Sequence, residues 1–354
     1  MTCSYSTMSR SFATLTEGSS VWFICGDTHF TDNNRDAYRF GLFDWIAKQQ
    51  ACKPVAATFF AGDLCDAKDR HSASLVNKVV TGLLKLKPPI YICKGNHDYR
   101  DPANPFFKFL SAVPGIRFVV DPEVVRAGSR MAIIPHVRTQ EEFARHVDVV
   151  NGAGVHPDAF LVHQTFDGAI AETGARLTGL SASPIELLKP RLGVYAGDVH
   201  RPQRSGIVTY VGCPYQVRFG DDYNPTCIYV NEKGKEGYPE FAAPRKWSLK
   251  IRGPENILNN KHLLEGDQVK LTIELAREEA VEWKQIKAAI IEACKQMELE
   301  VYGVKLEVNA PKLKKIKLKA KDKNGILDQF CAASNVPSET KAVGRQLLEG
   351  KSGD

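Results

Sequence analysis

Val21-Trp22-Phe23-Ile24-Cys25-Gly26-Asp27-Thr28-His29 is the stretch on which the fold turns. Five apolar residues in a row read as a strand buried on both faces, and a glycine then releases the chain into polar residues. Working outward, Asp36 to Ala51 places Phe40, Phe43 and Ile46 on one helical face. Val55 to Ala61 reads as a second strand, His71 to Leu86 as a second helix, and Pro89 to Cys93 as a third strand. This β-α-β-α-β rhythm predicts an α/β domain with right-handed crossovers. Further strands are expected at Met131 to Pro135, Asp158 to His163, Leu192 to Ala196, Ile207 to Gly212 and Thr226 to Val230. Their short connections carry Gly, Pro, Asp and Asn, so the second half of this domain is richer in strand.

Around Gly234 to Pro244 the composition shifts to Gly, Pro, Lys and Glu, which marks a domain boundary. Residues 21–240 form the main domain, and 246–310 read as a small α+β unit. In that unit Val269 to Leu275 and Val301 to Val308 alternate like strands. Between them Glu278 to Met297 carries the helical stripe Val281, Ile286, Ile290 and Ala293. Residues 311–323 follow as a linker with seven lysines. Residues 325–350 read as one or two short helices, the second opened by Pro337. Residues 1–20 hold ten Ser or Thr and no apolar run, so a flexible tail is expected there rather than a secretory signal.

The chain of 354 residues has a net charge of +6, too small by itself to demand a nucleic acid partner. The excess leans toward 246–354, with 20 Lys and Arg against 16 Asp and Glu. No stretch approaches the roughly 18 apolar residues of a membrane span. Nine scattered cysteines without a C-x-x-C pair are expected to be reduced thiols in an intracellular compartment.

Chemistry gathers where strands end. Gly26-Asp27-Thr28-His29, Gly62-Asp63, Gly95-Asn96-His97-Asp98, His163-Gln164 and Gly197-Asp198-Val199-His200 each follow an apolar run. In open α/β sheets the carboxyl edge of the strands is where ligands bind, so distant residues can share one pocket. Hard oxygen donors mixed with imidazole, and no thiolate pair, argue against a structural zinc site. Carboxylates suit Mg²⁺ and Mn²⁺, and imidazole shifts the preference toward Mn²⁺, Fe or Zn. Two divalent ions about 3.5–4 Å apart would clamp a phosphoryl group, with Asp63 the natural bridge.

The ordered set D-x-H, G-D, G-N-H-D, H and G-x-x-H resembles the calcineurin-like metallophosphoesterases over about residues 21–232. The resemblance implies a two-sheet sandwich flanked by helices, with two divalent metal ions at one edge. It implies that Asp27, His29 and His200 hold one ion, that Asn96, His163 and Asp198 hold the other, and that Asp63 bridges both. His97 would sit beside the scissile phosphate and protonate the leaving oxygen or stabilise charge. Asp98 would accept a hydrogen bond from His97 and fix its tautomer. Many members have G-H-x-H where this chain has Gly197-Asp198-Val199-His200. The extra carboxylate hardens the site toward Mn²⁺ or Mg²⁺, or leaves the second ion weakly bound.

Thr209-Tyr-Val-Gly-Cys-Pro-Tyr-Gln216 and Arg218-Phe-Gly-Asp-Asp222 are similar to a segment of SbcD-type nucleases, the nuclease subunits of double-strand-break processing complexes, phage recombination exonucleases among them. Cys213 replaces the usual Ser. Gly62-Asp-Leu-Cys-Asp66 resembles the G-D-x-F-D of bacterial members, and Asp66 either positions substrate or caps the next helix. This likeness implies a Mn²⁺-dependent DNA exonuclease and endonuclease acting at DNA ends in recombination and repair. Residues 246–310 would be a cap domain, and 325–350 would bind the coiled-coil base of an SMC-like ATPase. It implies a homodimer in the cytoplasm, nucleoid-associated or in a phage-infected host, or in the nucleus if the source is eukaryotic. In a strand, Lys315, Lys317, Lys319, Lys321 and Lys323 would share one face and neutralise DNA phosphates; a solvated linker is the equal alternative. The other functions open to this core are a phosphomonoesterase, a cyclic-nucleotide phosphodiesterase and a weakly active scaffold that binds DNA ends. His71, His136, His146, His156 and His262 lie outside the motifs and are expected to be structural or at the surface, with His136 placed to line the pocket.

Overall fold

The computed structural model describes residues 21–152, 154, 156–309, 322–334 and 336–348. The expected tail over 1–20 lies outside them, as do Lys315, Lys317, Lys319 and Lys321 of the lysine tract; Lys323 opens a helix. The main unit begins with β1 (Val21–Cys25), α1 (Gly41–Cys52), β2 (Val55–Phe60), α2 (Ala73–Leu83), β3 (Ile90–Cys93) and β4 (Ile116–Val119). It continues with β5 (Glu123–Ala127), β6 (Ser129–Ile134), α3 (Gln140–Gly152), β7 (Ala159–His163), α4 (Ser183–Glu186) and β8 (Gly193–Gly197). The strands β9 (Gln203–Ser205), β10 (Val208–Tyr210), β11 (Ile228–Asn231) and β12 (Glu236–Gly237) complete it.

Two six-stranded sheets result, with orders β12-β11-β1-β2-β3-β4 and β5-β6-β7-β8-β10-β9. The run β1 to β4 is parallel, as is β6-β7-β8-β10, and antiparallel strands close the edges. Alternate residues of β1 show why its apolar run is unbroken. Trp22 and Ile24 pack with Met131, Ile133, Leu161 and Tyr195 in the layer between the sheets. Val21, Phe23 and Cys25 point the other way, onto Leu42, Phe43 and Ile46 of α1 and Leu75, Val79 and Leu83 of α2. On the outer face of the second sheet, Phe143, Val147 and Val150 of α3 cover Ala132, Phe160 and Val162. The architecture is therefore the expected one: two mixed α/β sheets face to face, flanked by helices.

One expected helix is really two elements. Within Asp36 to Ala51, a 3₁₀ helix (Asn34–Phe40) capped by Asn33 precedes α1. In a 3₁₀ helix residues three apart eclipse, which brings buried Arg39 to 3.3 Å from buried Asp36. Asp36 also takes Lys246 Nζ at 2.7 Å, and Arg39 donates to the His29 carbonyl at 2.6 Å. The tight turn thus ties the loop after β1 in place.

The chain divides into two compact units. The first holds the described residues up to Ser248, with Lys261–Lys270 and Met297–Tyr302; the second holds Leu249–Asn260, Leu271–Gln296 and the described residues from Gly303 on. β13 (Lys246–Ile251), β14 (Gln268–Ala276) and β15 (Glu300–Asn309) form a three-stranded sheet in that order. In the second unit α5 (Glu255–Leu258) is followed by α6 (Trp283–Gln296), which buries Ile290, Ala293 and Cys294. Its last elements, α7 (Lys323–Ala333) and α8 (Ser338–Leu348), are tied by Asp328, which meets Lys341 at 3.1 Å and Arg345 at 2.7 Å.

Candidate metal centre

Parallel strands put their carboxyl ends at one edge, and the chemistry collects there. Beyond the strands the pairing continues: Ala61 N–H donates to the Cys25 carbonyl, His29 N–H to the Asp63 carbonyl and Phe30 N–H to the Leu64 carbonyl. The loops after β1 and β2 therefore run side by side and present Asp27, His29 and Asp63 together. His29, Asp63 and Asp198 all adopt positive φ, at 42°, 51° and 75°. Such backbone costs about 1–3 kcal/mol per residue and collects at functional sites.

The motif glycines make room for side chains from other strands. A Cβ on Gly62 would stand 2.2 Å from His163 Nδ1, and one on Gly95 would stand 2.2 Å from Asp63 Oδ1. Each glycine is thus required by a neighbour's side chain as much as by its own turn.

The structure brings the seven expected ligands together. His29 Nε2 lies 3.0 Å from His200 Nε2 and 3.7 Å from Asp63 Oδ2. His163 Nε2 lies 3.4 Å from Asp63 Oδ1 and 3.7 Å from Asp198 Oδ1. Asn96 Nδ2 donates to Asp198 Oδ1 at 3.2 Å. Asp27 Oδ1 is 3.4 Å from His163 Nδ1 and accepts the Asp198 N–H at 3.2 Å. Asp27, His29, Asp63, His163 and His200 are buried, whereas Asn96, His97 and Asp198 form a half-buried rim.

Electrostatics make this cluster costly without a cation. Burial pushes the Asp27 carboxyl up to about 8, partly relieved by His163 and worsened by Asp63. Burial likewise drives Asp63 well above the usual carboxylate range, with Asp98 adding repulsion. Burial, then the neighbouring His200 and His97, hold His29 well below the usual imidazole range. Asp198 differs: burial works to raise it, but His163 and the Thr165 hydroxyl outweigh burial and keep it low, hence ionised.

Donor chemistry fits divalent ions. His163 gives its Nδ1–H to the Ala61 carbonyl at 2.7 Å, which leaves Nε2 as the ring atom placed between Asp63 and Asp198. That atom has no hydrogen-bond partner among the described residues, nor do Asp27 Oδ2 and Asn96 Oδ1. Three buried polar atoms without a hydrogen-bond partner are what a cation would satisfy. Asp27, Asp63 and His163 bring ligand atoms within 4.8 Å of one another, as do Asp27, His200 and Cys213, and His29, Asp66 and His97.

One expected pairing is replaced. Asp98 does not serve His97. Its buried carboxylate accepts the N–H groups of Asp63, Leu64 and Gly95 at 3.0, 3.0 and 2.7 Å. It staples the loop after β2 to the loop after β3. His97 instead gives its Nδ1–H to the Asp66 carbonyl at 2.6 Å, and its backbone N–H donates to Asp63 Oδ1 at 2.8 Å. Toward His97, Asp66 therefore works through its carbonyl, which no side-chain motif signals. Thr165, which donates to Asp198 Oδ2 at 2.6 Å, is a further participant without a motif; its only clue is its place two residues after His163.

The segment after His200 supports the site from behind. The buried Tyr215 hydroxyl donates to the Thr28 carbonyl, and Gln216 accepts the Lys246 N–H at 2.7 Å. Both side chains are buried. His136 stands near the site, with ring centres 6.0 Å from His163 and its Nδ1 2.9 Å from the Tyr99 hydroxyl. Burial and the neighbouring His163 push it down to about 4, so it is neutral at physiological pH.

Residues 23–177 match the family model described as calcineurin-like phosphoesterase. This match supports a calcineurin-like metallophosphoesterase domain over those residues, and that family implies a metal-dependent hydrolase. No curated protein matches the chain. Among the described residues no helix is long and apolar enough to cross a membrane.

Proposed function

We propose that this chain is the nuclease subunit of an SbcD-type complex, hydrolysing phosphodiester bonds at DNA ends with two Mn²⁺ ions, or Mg²⁺ in their place. The observation that carries the phosphodiesterase part is the convergence of seven strand-end polar residues at one edge, with His163 Nε2 unpartnered between Asp63 and Asp198. The DNA part is supported by the Thr209–Gln216 segment, whose Tyr215 braces the D-x-H loop.

Asp27, His29 and His200 would hold one ion, Asn96, His163 and Asp198 the other, and Asp63 both. Bound there, the ions polarise the phosphoryl oxygens and lower the pKa of the attacking water. The chain's own residues supply the rest. His97 is fixed with Nδ1–H on the Asp66 carbonyl, so a proton delivered to the leaving oxygen comes from Nε2 of the protonated ring. Asp98 holds the two loops at a fixed separation, which keeps His97 and Asp63 in register. Half-buried Asn96, His97 and Asp198 mark the face that substrate meets.

The α7–α8 pair is assigned to the ATPase partner. It exposes Ile326, Phe330, Val343 and Leu348, an apolar set that a soluble helix pair gains nothing by showing to water. A homodimer and a compartment that holds DNA, the cytoplasm or the nucleus, complete the proposal.

The deciding experiment is digestion of linear duplex DNA with Mn²⁺, native chain against Asp63→Asn. Loss of DNA from its ends by the native chain alone supports the nuclease. A preference for a phosphomonoester or a cyclic nucleotide over DNA rejects it and keeps the phosphoesterase. Binding of DNA ends with no hydrolysis of any ester would leave only a scaffold.

A further inference from the structure

His29 and His200 face each other through their Nε2 atoms at 3.0 Å. Their outer nitrogens are alike too. A carboxylate stands at each: Asp66 Oδ1 is 3.5 Å from His29 Nδ1, and Glu172 Oε1 is 3.4 Å from His200 Nδ1. Neither Nδ1 has a hydrogen-bond partner among the described residues, so both remain open to these carboxylates.

Both carboxylates are carried on fixed backbone. Asp66 donates its N–H to the Phe30 carbonyl at 3.1 Å, next to the bridge of Phe30 with Cys65, and accepts His97 Nδ1–H. Glu172 lies in a turn closed by Ala171 N–H to the Ala175 carbonyl at 2.8 Å and by the bridge of Ile170 with Arg176. Its Oε1 also accepts the His200 backbone N–H at 3.3 Å.

We propose that Asp66 and Glu172 are positioning residues that take the Nδ1–H of His29 and His200 and turn both Nε2 lone pairs onto one divalent cation. This rests on the metal-site reading above. Two neutral rings cannot both show a lone pair at 3.0 Å without a cation, so in the cation-free chain one Nε2 carries the hydrogen and donates to the other. Cation binding requires that ring to shift its hydrogen from Nε2 to Nδ1, through solvent and with no net proton gained or lost. A carboxylate beside each Nδ1 favours that tautomer for either ring. Outer partners of this kind raise ligand basicity and fix ring orientation.

The test is calorimetric titration of the full chain with Mn²⁺, comparing native protein with Asp66→Ala, Asp66→Asn, Glu172→Ala and Glu172→Gln. The Ala variants should bind Mn²⁺ about 10–100-fold more weakly. Asn and Gln keep an acceptor oxygen without the charge and should recover part of the loss. A second readout is histidine side-chain ¹⁵N NMR with Mg²⁺: both rings protonated at Nδ1 in the native chain, mixed tautomers in the Ala variants. Ala variants that bind within about twofold of native and keep the native tautomers overturn the proposal. If Glu172→Ala unfolds, Glu172→Gln carries the test through its weaker binding. A native chain that takes up no Mn²⁺ overturns the metal-site reading and this inference together, whatever the variants do.

Discussion

The two ends of the candidate metal centre are built from different material. At one end two buried imidazoles oppose each other, with Asp27 close by. At the other, one buried imidazole meets a half-buried carboxylate and a half-buried amide. The first end is closed and rich in nitrogen; the second is open and acidic. A cation at the first would be held against exchange, while one at the second would face solvent and substrate and prefer a harder ion. Asp63 belongs to both, with one oxygen toward His29 and the other toward His163.

The largest expected effect comes from removing what the ends share. Asp63→Asn should lower phosphodiester hydrolysis by more than about 100-fold, since loss of an outer partner alone costs about 10–100-fold. Calorimetry should show Mn²⁺ weakened at both ends; loss at one end only would mean that the carboxylate is not shared. His97→Ala should cost about 10²–10⁴-fold in rate with Mn²⁺ affinity unchanged, and a collapse of affinity would move His97 among the ion-holding groups. Asp198→His tests the contrast directly. It should soften the open end, so that Mg²⁺ supports about tenfold less activity while Mn²⁺ is little affected. Equal losses with both ions would erase the distinction between the ends.

Gly95→Ala is a structural blow at the shared group. Its Cβ would stand 2.4 Å from the Asp63 backbone nitrogen as well as against Oδ1, so chemical denaturation should show a loss of about 1–3 kcal/mol. A separate effect, read on the chain without substitutions, is on pH dependence. With Asp27 raised to about 8 in the folded chain and near 3.9 unfolded, its protonated form stabilises the fold fully below about pH 4. That contribution fades as pH climbs through 8. Melting curves without cation should therefore fall across this window. Added Mn²⁺ should raise Tm more near its upper end than near its lower end, because binding no longer has to expel that proton.

Much of this was legible in the sequence, and the reasons differ by region. Unbroken runs such as Val21–Cys25 and Ala159–His163 announce strands buried on both faces, and the motifs after them mark the active edge. β4 and β5 are harder to read because Arg117, Glu123 and Arg126 interrupt short apolar runs. In α3 the stripe Phe143, Val147 and Val150 is present, but the charged and polar residues around it weaken the contrast. Within the site, the residues that converge are those the motifs and the family resemblance point to, whereas the supporting contacts carry no such signal. Adjacency suggests that Asp98 serves His97, yet the chain turns Asp98 onto backbone donors 34 and 35 positions away. Asp66, Thr165 and Glu172 enter only because folding brings distant loops together.

The clearance at Gly62 reaches beyond its own loop. The space that a Cβ would fill is already occupied by the ring of His163, which arrives from the second sheet. In genetic terms the two positions are linked in one direction: the glycine makes room for the histidine, while its own φ of 113° holds it a glycine even in a lineage that surrendered the histidine.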